Sequence, residues 1–198
     1  DAVAKLIGGL STTPPERAIA GALRRQLDAL LPSVTEGLEA VKVSALRERS
    51  SSLGRELDRV LSGWSGDLRR RGVVLSAPDP RRFADVRVVG TPRELTFVFD
   101  NLIENAARAV ERVDGPMIAV SVELAEAHAL VTVADNGIGI PSERHDEVFR
   151  HGVSDRRDGG HGLPKSREIL EHRGGSIDLV SSALGEGTTF LVKLAICP

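Results

Sequence analysis

The 198-residue sequence predicts an α+β domain: a mixed, mostly antiparallel sheet covered on one face by helices, preceded by an N-terminal helical segment. Two patterns carry that expectation. Apolar and polar residues alternate along Met117 to Leu124 and Ala129 to Asp135, as in two strands of an antiparallel hairpin joined by a short polar link. From Leu53 to Arg71, and again from Thr91 to about Arg112, apolar residues instead recur every three or four positions, the spacing of a helix with one buried face. At 41% hydrophobic, the chain can bury a core for one domain plus an appendage.

In chain order, Glu16 to Glu48 has helical composition, with Ile19, Leu23, Leu27, Leu30 and Leu31 on one stripe. Pro14 and Pro15 suit its start, Pro32 predicts a break or kink, and a second helical run covers Val41 to Arg47. Residues 1–52 therefore read as a helical segment that packs on the domain C-terminal to it or against a second copy as a dimerising bundle. The domain proper, 53–198, opens with a helix burying Leu53, Leu57, Val60, Leu61, Trp64 and Leu68. Strands at Val73 to Ser76 and Val86 to Val89 flank the turn-forming Ala77 to Arg82. Thr91, Pro92 and Glu94 then form a helix start, with Thr91 as cap, Pro92 in the first turn and Glu94 closing a capping box. After the hairpin, a helix runs from the glycines at 160 and 162 to about His172. Strands at Ser176 to Ser181 and Thr188 to Ala195 flank a Gly-Glu-Gly turn.

Composition limits the function. A net charge of −2 does not point to nucleic acid as a partner, and no apolar run is long enough to span a bilayer or to serve as a secretory leader. The single Cys197 allows neither an internal disulfide nor a cysteine metal cluster, which fits a reducing compartment and makes a cytoplasmic location the expectation. The first residue is Asp1 rather than Met, as in an excised fragment, so any sensor or membrane segment is expected outside these residues.

Three stretches point to chemistry. In Val131 to Pro141 a strand ends at Asp135 and enters a turn containing Gly137 and Gly139. The carboxylate can accept a hydrogen bond from an exocyclic amine, and the bare backbone lets a flat ring such as adenine approach. On the Thr91 helix, Leu95, Val98, Leu102, Ala106 and Val110 form the buried stripe, while Asn101, Glu104, Asn105 and Arg108 form a polar one. Two asparagines one turn apart are poor helix formers, and a carbonyl oxygen suits Mg²⁺. The polar stretch from Glu143 to Gly162 has few apolar anchors and reads as a closing lid, with Phe149 fixing one end. Its histidines, His145, His151 and His161, lack zinc-site spacing. Gly160, His161, Gly162 and Leu163 lead into a helix whose N-terminal amides suit an anion.

DNLIENAARAV (100–110), VTVADNGIGIP (131–141), GGHGLPKS (159–166) and GEGTTF (185–190), in that order, resemble the GHKL ATPase superfamily of gyrase, Hsp90, histidine kinases and MutL. The likeness is greatest to the catalytic ATP-binding domain of sensor histidine kinases and covers residues 53–198. It implies a Bergerat-type two-layer α/β sandwich with ATP and Mg²⁺ as cofactors. By the same resemblance, Asn105 holds the metal and Arg108 reaches the phosphates. Asn101 stands where gyrase and MutL carry a catalytic Glu, which favours phosphoryl transfer over hydrolysis. Glu104 orients a water or nucleophile, or is simply a solvated carboxylate. Asp135, Gly137 and Gly139 take adenine, and Gly160, His161, Gly162 and Leu163 cradle the triphosphate. Gly185, Gly187, Thr188 and Thr189 support the pocket from behind, although a plain hairpin turn explains them equally well. Ala109 departs from the aromatic residue often stacked on adenine, and Pro164 from the usual glycine.

The function implied is transfer of the γ-phosphoryl group to a histidine. No histidine precedes His128, so the acceptor is expected either upstream of these residues or on another protein, with a phosphoacceptor histidine domain or a response-regulator-type protein as the expected partner. An ATP-gated interaction module without phosphotransfer and a protein-serine kinase of the anti-sigma type are the alternatives.

Overall fold

The computed structural model of the chain describes Asp28, Leu31, Pro32 and residues 50–150 and 161–197. Two compact units divide it, Asp1–Ala45 and Leu46–Pro198. In the first, Asp28, Leu31 and Pro32 have helical backbone, Pro32 included, where a break or kink is expected. The rest of the stripe from Ile19 to Leu30 and the run Val41 to Arg47 lie outside the described residues.

The second unit contains β1 (Ser50–Ser52), α1 (Leu53–Arg70), β2 (Val74–Ser76), a 3-10 turn (Pro80–Phe83), β3 (Arg87–Val89), α2 (Pro92–Ala109), β4 (Met117–Ala125) and β5 (His128–Asp135). A 3-10 turn (Ser142–Arg144), α3 (Gly162–Glu171), β6 (Ser176–Ala183) and β7 (Gly187–Ala195) complete it. Five strands form one sheet in the order β2-β4-β5-β7-β6, with β2 parallel to β4 and every other pair antiparallel. Buried positions alternate along the strands: Ile118 and Val120, then Ala129, Val131 and Val133, then Phe190, Val192 and Leu194. The sheet therefore buries one face, and the helices supply the facing half of the core through Leu57, Leu68, Leu95, Phe99, Leu102 and Leu170.

The helix ends follow the sequence closely. Thr91 accepts the Glu94 amide at 3.3 Å, the Glu94 carboxylate accepts the Thr91 amide at 2.9 Å, and Pro92 occupies the first turn, which completes the capping box. On α1 the five expected aliphatics are buried, while Trp64 is partly exposed and donates from Nε1 to Asp100 Oδ1 at 3.0 Å, joining α1 to α2. Glu56 is also buried there, against expectation for a charged side chain, and is held by Arg59 at 3.1 Å and Thr96 at 3.4 Å.

β1 has no counterpart in the hydrophobic pattern, because Ser50, Ser51 and Ser52 carry no period. Its register is fixed by partners instead. It pairs antiparallel with β3, Ser51 Oγ donates to the Gly90 carbonyl at 2.7 Å, and Arg87 donates to Ser50 Oγ and to the Ser50 carbonyl at 2.9 and 2.7 Å. The strand lies N-terminal to Leu53, where the hydrophobic pattern begins the domain.

Candidate functional site

The sheet delivers Asp135 to the end of β5, opposite Thr188 on β7. Its Oδ1 accepts the Gly137 amide at 2.8 Å. Burial pushes the carboxyl up to about 6, opposed by hydrogen bonds from the Gly137 and Thr188 backbone. Two glycines make this placement possible. Gly187 has φ +89°, and a Cβ there would fall 1.9 Å from the Asp135 carbonyl oxygen; one on Gly137 would fall 2.5 Å from the Ala109 backbone carbon and Cβ. The glycine turn after Asp135 thus lies directly on the last residue of α2, and the Ile138 amide donates to the Ala109 carbonyl at 3.0 Å.

A cavity of about 470 Å³ opens over this junction, within the size range of small-ligand sites. Asn105, Arg108 and Ala109 of α2, Asp135, Gly139, Thr188 and Leu163 line it, and these are positions expected from the sequence. Asn105 lines the cavity together with Arg108 from α2, and Leu163 lines it from the first turn of α3. Gly162 opens α3, and His161 precedes it, exposed. Gly160 lies outside the described residues, as do His151 and the rest of 151–160; of the stretch from Glu143 to Gly162 expected to form a lid, only 143–150, 161 and 162 are described.

Asn101 and Glu104 are not among the residues lining the cavity. Asn101 donates from Nδ2 back to the Phe97 carbonyl at 2.8 Å, and a Cβ on Gly162 would fall 2.2 Å from its Oδ1, so it meets α3 across a close helix contact. Glu104 is ion-paired to Arg108 and faces a separate groove bordered by Trp64 and Arg71. The i, i+3, i+4, i+7 spacing places all four on one broad side of α2, but a helix side is wider than one cavity.

Residues that sequence reasoning missed form the apolar rim and its lock. Ile138 and Leu184, 58% and 70% exposed, stand at the cavity with Ile140, Val148 and Phe190. Large apolar residues inside glycine turns were the signal available for the first two. Ser182 joins the turns: its Oγ accepts the Ile140 amide at 2.7 Å, donates to the Gly187 carbonyl at 3.0 Å and meets Thr188 Oγ1 at 2.9 Å. Gly185 N also donates to the Ile138 carbonyl at 2.9 Å. Arg144, on the 3-10 turn, is a further lining residue.

The residues present fit an adenine nucleotide. A half-buried carboxylate for an amine, a bare glycine backbone beside it, aliphatic walls for a ring, and a cation with a hard oxygen donor on α2 are the donor set such a ligand requires.

Comparison with known proteins agrees. The C4-dicarboxylate transport sensor protein DctB of Rhizobium meliloti (strain 1021) is 36% identical over 110 residues, 55% of this chain and 17% of the relative. The sensor histidine kinase TmoS of Ectopseudomonas mendocina is 30% identical over 187 residues, 88% of this chain and 18% of the relative. The chain thus spans less than a fifth of the length of either. Among solved structures, the mycobacterial sensor histidine kinase MprB superposes with a TM-score of 0.60 at 23% identity, covering 75% of this chain and 97% of that one, which shows a shared fold. The family model for histidine kinase-, DNA gyrase B- and HSP90-like ATPases matches residues 90–197, a span that holds Asn105, Asp135, the α3 N-terminus and Thr188, and with more than half of its residues so matched the chain belongs to that family.

Proposed function

We propose that the chain binds Mg-ATP and transfers its γ-phosphoryl group to a histidine on another chain or segment. The observation that carries this reading is the single cavity whose lining holds Asp135 together with Asn105, Arg108 and Leu163. In it the Asp135 carboxylate accepts the adenine amine, and Ile138, Ile140 and Leu184 exclude water from the ring faces that an aromatic residue at 109 would otherwise cover. Arg108 and the α3 N-terminus, with Gly162 and Leu163, take the phosphates, with Gly160 and His161 preceding them in the chain. Asn105 contributes one oxygen to Mg²⁺, a count that suits a metal shared with phosphates. The metal, when bound, neutralises charge on the transferring group. Asn101 supports the helix contact beneath Gly162, and Glu104 orients Arg108. The proposed partners are a phosphoacceptor histidine domain and a response-regulator-type protein, with homodimerisation through the N-terminal helices and a cytoplasmic location.

Asp135→Asn tests the adenine end. A charge-assisted hydrogen bond contributes about 1.5–3 kcal/mol, so ATP affinity by calorimetry should fall at least about tenfold; unchanged affinity would sink the assignment. Incubation with labelled ATP and a histidine-bearing acceptor tests the transfer. Acid-labile label on the acceptor supports it, acid-stable label favours a serine kinase, and tight binding without transfer to any acceptor favours a nucleotide-gated interaction module.

A further inference from the structure

We propose that Arg167 is a positioning residue of the nucleotide site, acting through Phe149; the proposal rests on the nucleotide reading above. On α3, Pro164 and Leu170 are buried and Leu163 faces the cavity, so residue 167 falls on the inward side of the helix. A charged side chain at such a position needs a partner. Arg167 finds two: its guanidinium carbon lies 3.5 Å from the centroid of the Phe149 ring, and Nη2 donates to the Ile177 carbonyl of β6 at 3.4 Å. Phe149 in turn meets Phe190 edge-on, with centroids 6.1 Å apart and planes at 85°.

This stack leads to the site. Phe190 lines the nucleotide cavity from β7, and Val148, the residue before Phe149, lines it from the other side with Arg144, Pro141 and Ile140. The wall formed by 140–148 is held to the sheet at its first residue, where the Ile140 amide donates to Ser182 Oγ of β6 at 2.7 Å; beyond it come the 3-10 turn Ser142–Arg144 and local turn bonds such as Glu147 N to the Arg144 carbonyl, and these do not fix the distance of the far end from the sheet. Phe149 does, clamped between a ring fixed in the sheet and a cation fixed on α3. An aliphatic residue at 167 would fill the space, but it would lack the attraction of a cation for the ring face and the hydrogen bond to β6. Arg167 therefore sets cavity width from outside, four residues after Leu163, without touching the ligand.

ATP affinity of the whole chain, measured by calorimetry beside the melting temperature, tests this. Arg167→Leu should weaken ATP binding about three- to tenfold, with Arg167→Lys, which keeps the cation, recovering most of the loss. Phe149→Leu should weaken binding similarly. The double variant should bind no worse than Phe149→Leu alone, since Arg167 acts through that ring. If Arg167→Leu does not fold, Arg167→Gln, which keeps a donor but no charge, carries the same comparison. Wild-type affinity in Arg167→Leu or Arg167→Gln, or losses that add in the double variant, would overturn the proposal while leaving the nucleotide reading intact. A wild-type chain that binds no ATP overturns both.

Discussion

Burial pushes the Asp135 carboxyl up to about 6, from an ordinary value of 3.8, so the group proposed to accept the adenine amine titrates just below neutrality. Only the ionised form accepts with full charge, and nucleotide affinity is expected to fall as pH drops through about 6, which calorimetry across that range would detect. Stability runs the opposite way. Because the folded value is raised, the ionised carboxylate costs folding energy above that pH, and the cost is relieved as pH falls. Asp135→Asn should therefore stabilise the ligand-free chain at neutral pH by about 1–2 kcal/mol, discounted from the full shift for partial solvent access, while weakening ATP. On α2, Asn105→Ala should abolish the Mg²⁺ dependence of ATP binding and leave metal-free ADP binding within about twofold, since the residue lies on a different element from Asp135. Collapse of metal-free binding would make Asn105 a structural residue.

At the scale of elements, α2 joins fold to site. Its capping box shares Glu94 with Arg173, just past α3, whose Nε and Nη2 reach the two carboxylate oxygens at 3.1 and 2.7 Å. Burial alone would raise the Glu94 pKa; the Arg173 and Thr91 hydrogen bonds outweigh it and hold the group below its ordinary 4.5. The stabilisation is thus present above about pH 4.5 and is lost as pH falls through the lowered value. Arg173→Ala should cost about 1.5–3 kcal/mol in denaturant unfolding at neutral pH, and Thr91→Ala about 1 kcal/mol. The Arg173 loss should shrink as pH falls through the lowered Glu94 value; a loss that stays equal after the carboxyl is protonated would mean that packing, not charge, holds the two helix ends. The cap itself was readable from Thr-Pro-x-Glu, whereas its fork to Arg173 was not, because 79 residues separate the partners.

For the whole molecule, the placement of histidines predicts that the chain binds ATP without labelling itself. His128 begins β5, His145 comes directly after the 3-10 turn at 142–144, and His161 and His172 flank α3; His151 lies outside the described residues. In-line transfer needs an acceptor nitrogen within about 3–3.5 Å of phosphorus, and none of the four described histidines lines the cavity. Labelled ATP should therefore leave the isolated chain unmarked, and addition of a partner with a His-Glu or His-Asp helix should yield acid-labile phosphate. Strong label mapped by mass spectrometry to one of the five histidines would refute the division of labour. ATP at a hundred times its dissociation constant should also stabilise the fold by about 2.7 kcal/mol, visible as a higher melting temperature.

The sequence by itself determined the local elements and the family to which the motifs belong. Period and caps suffice to form α1 and α2, alternation suffices for the β4–β5 hairpin, and the order of the four motifs suffices for the family, because each of these signals is written within a few neighbouring residues. Only the tertiary structure decided what those motifs share. It separated Asn105 from Asn101 and Glu104 within a single helical stripe, recruited Ile138, Leu184 and Ser182 from two turns, and made a strand of three serines. The physical reason is common to all three outcomes. Cavity lining, cross-strand partners and the depth that shifts a carboxyl's pKa are set by contacts between distant segments, and no local pattern in the chain encodes those distances.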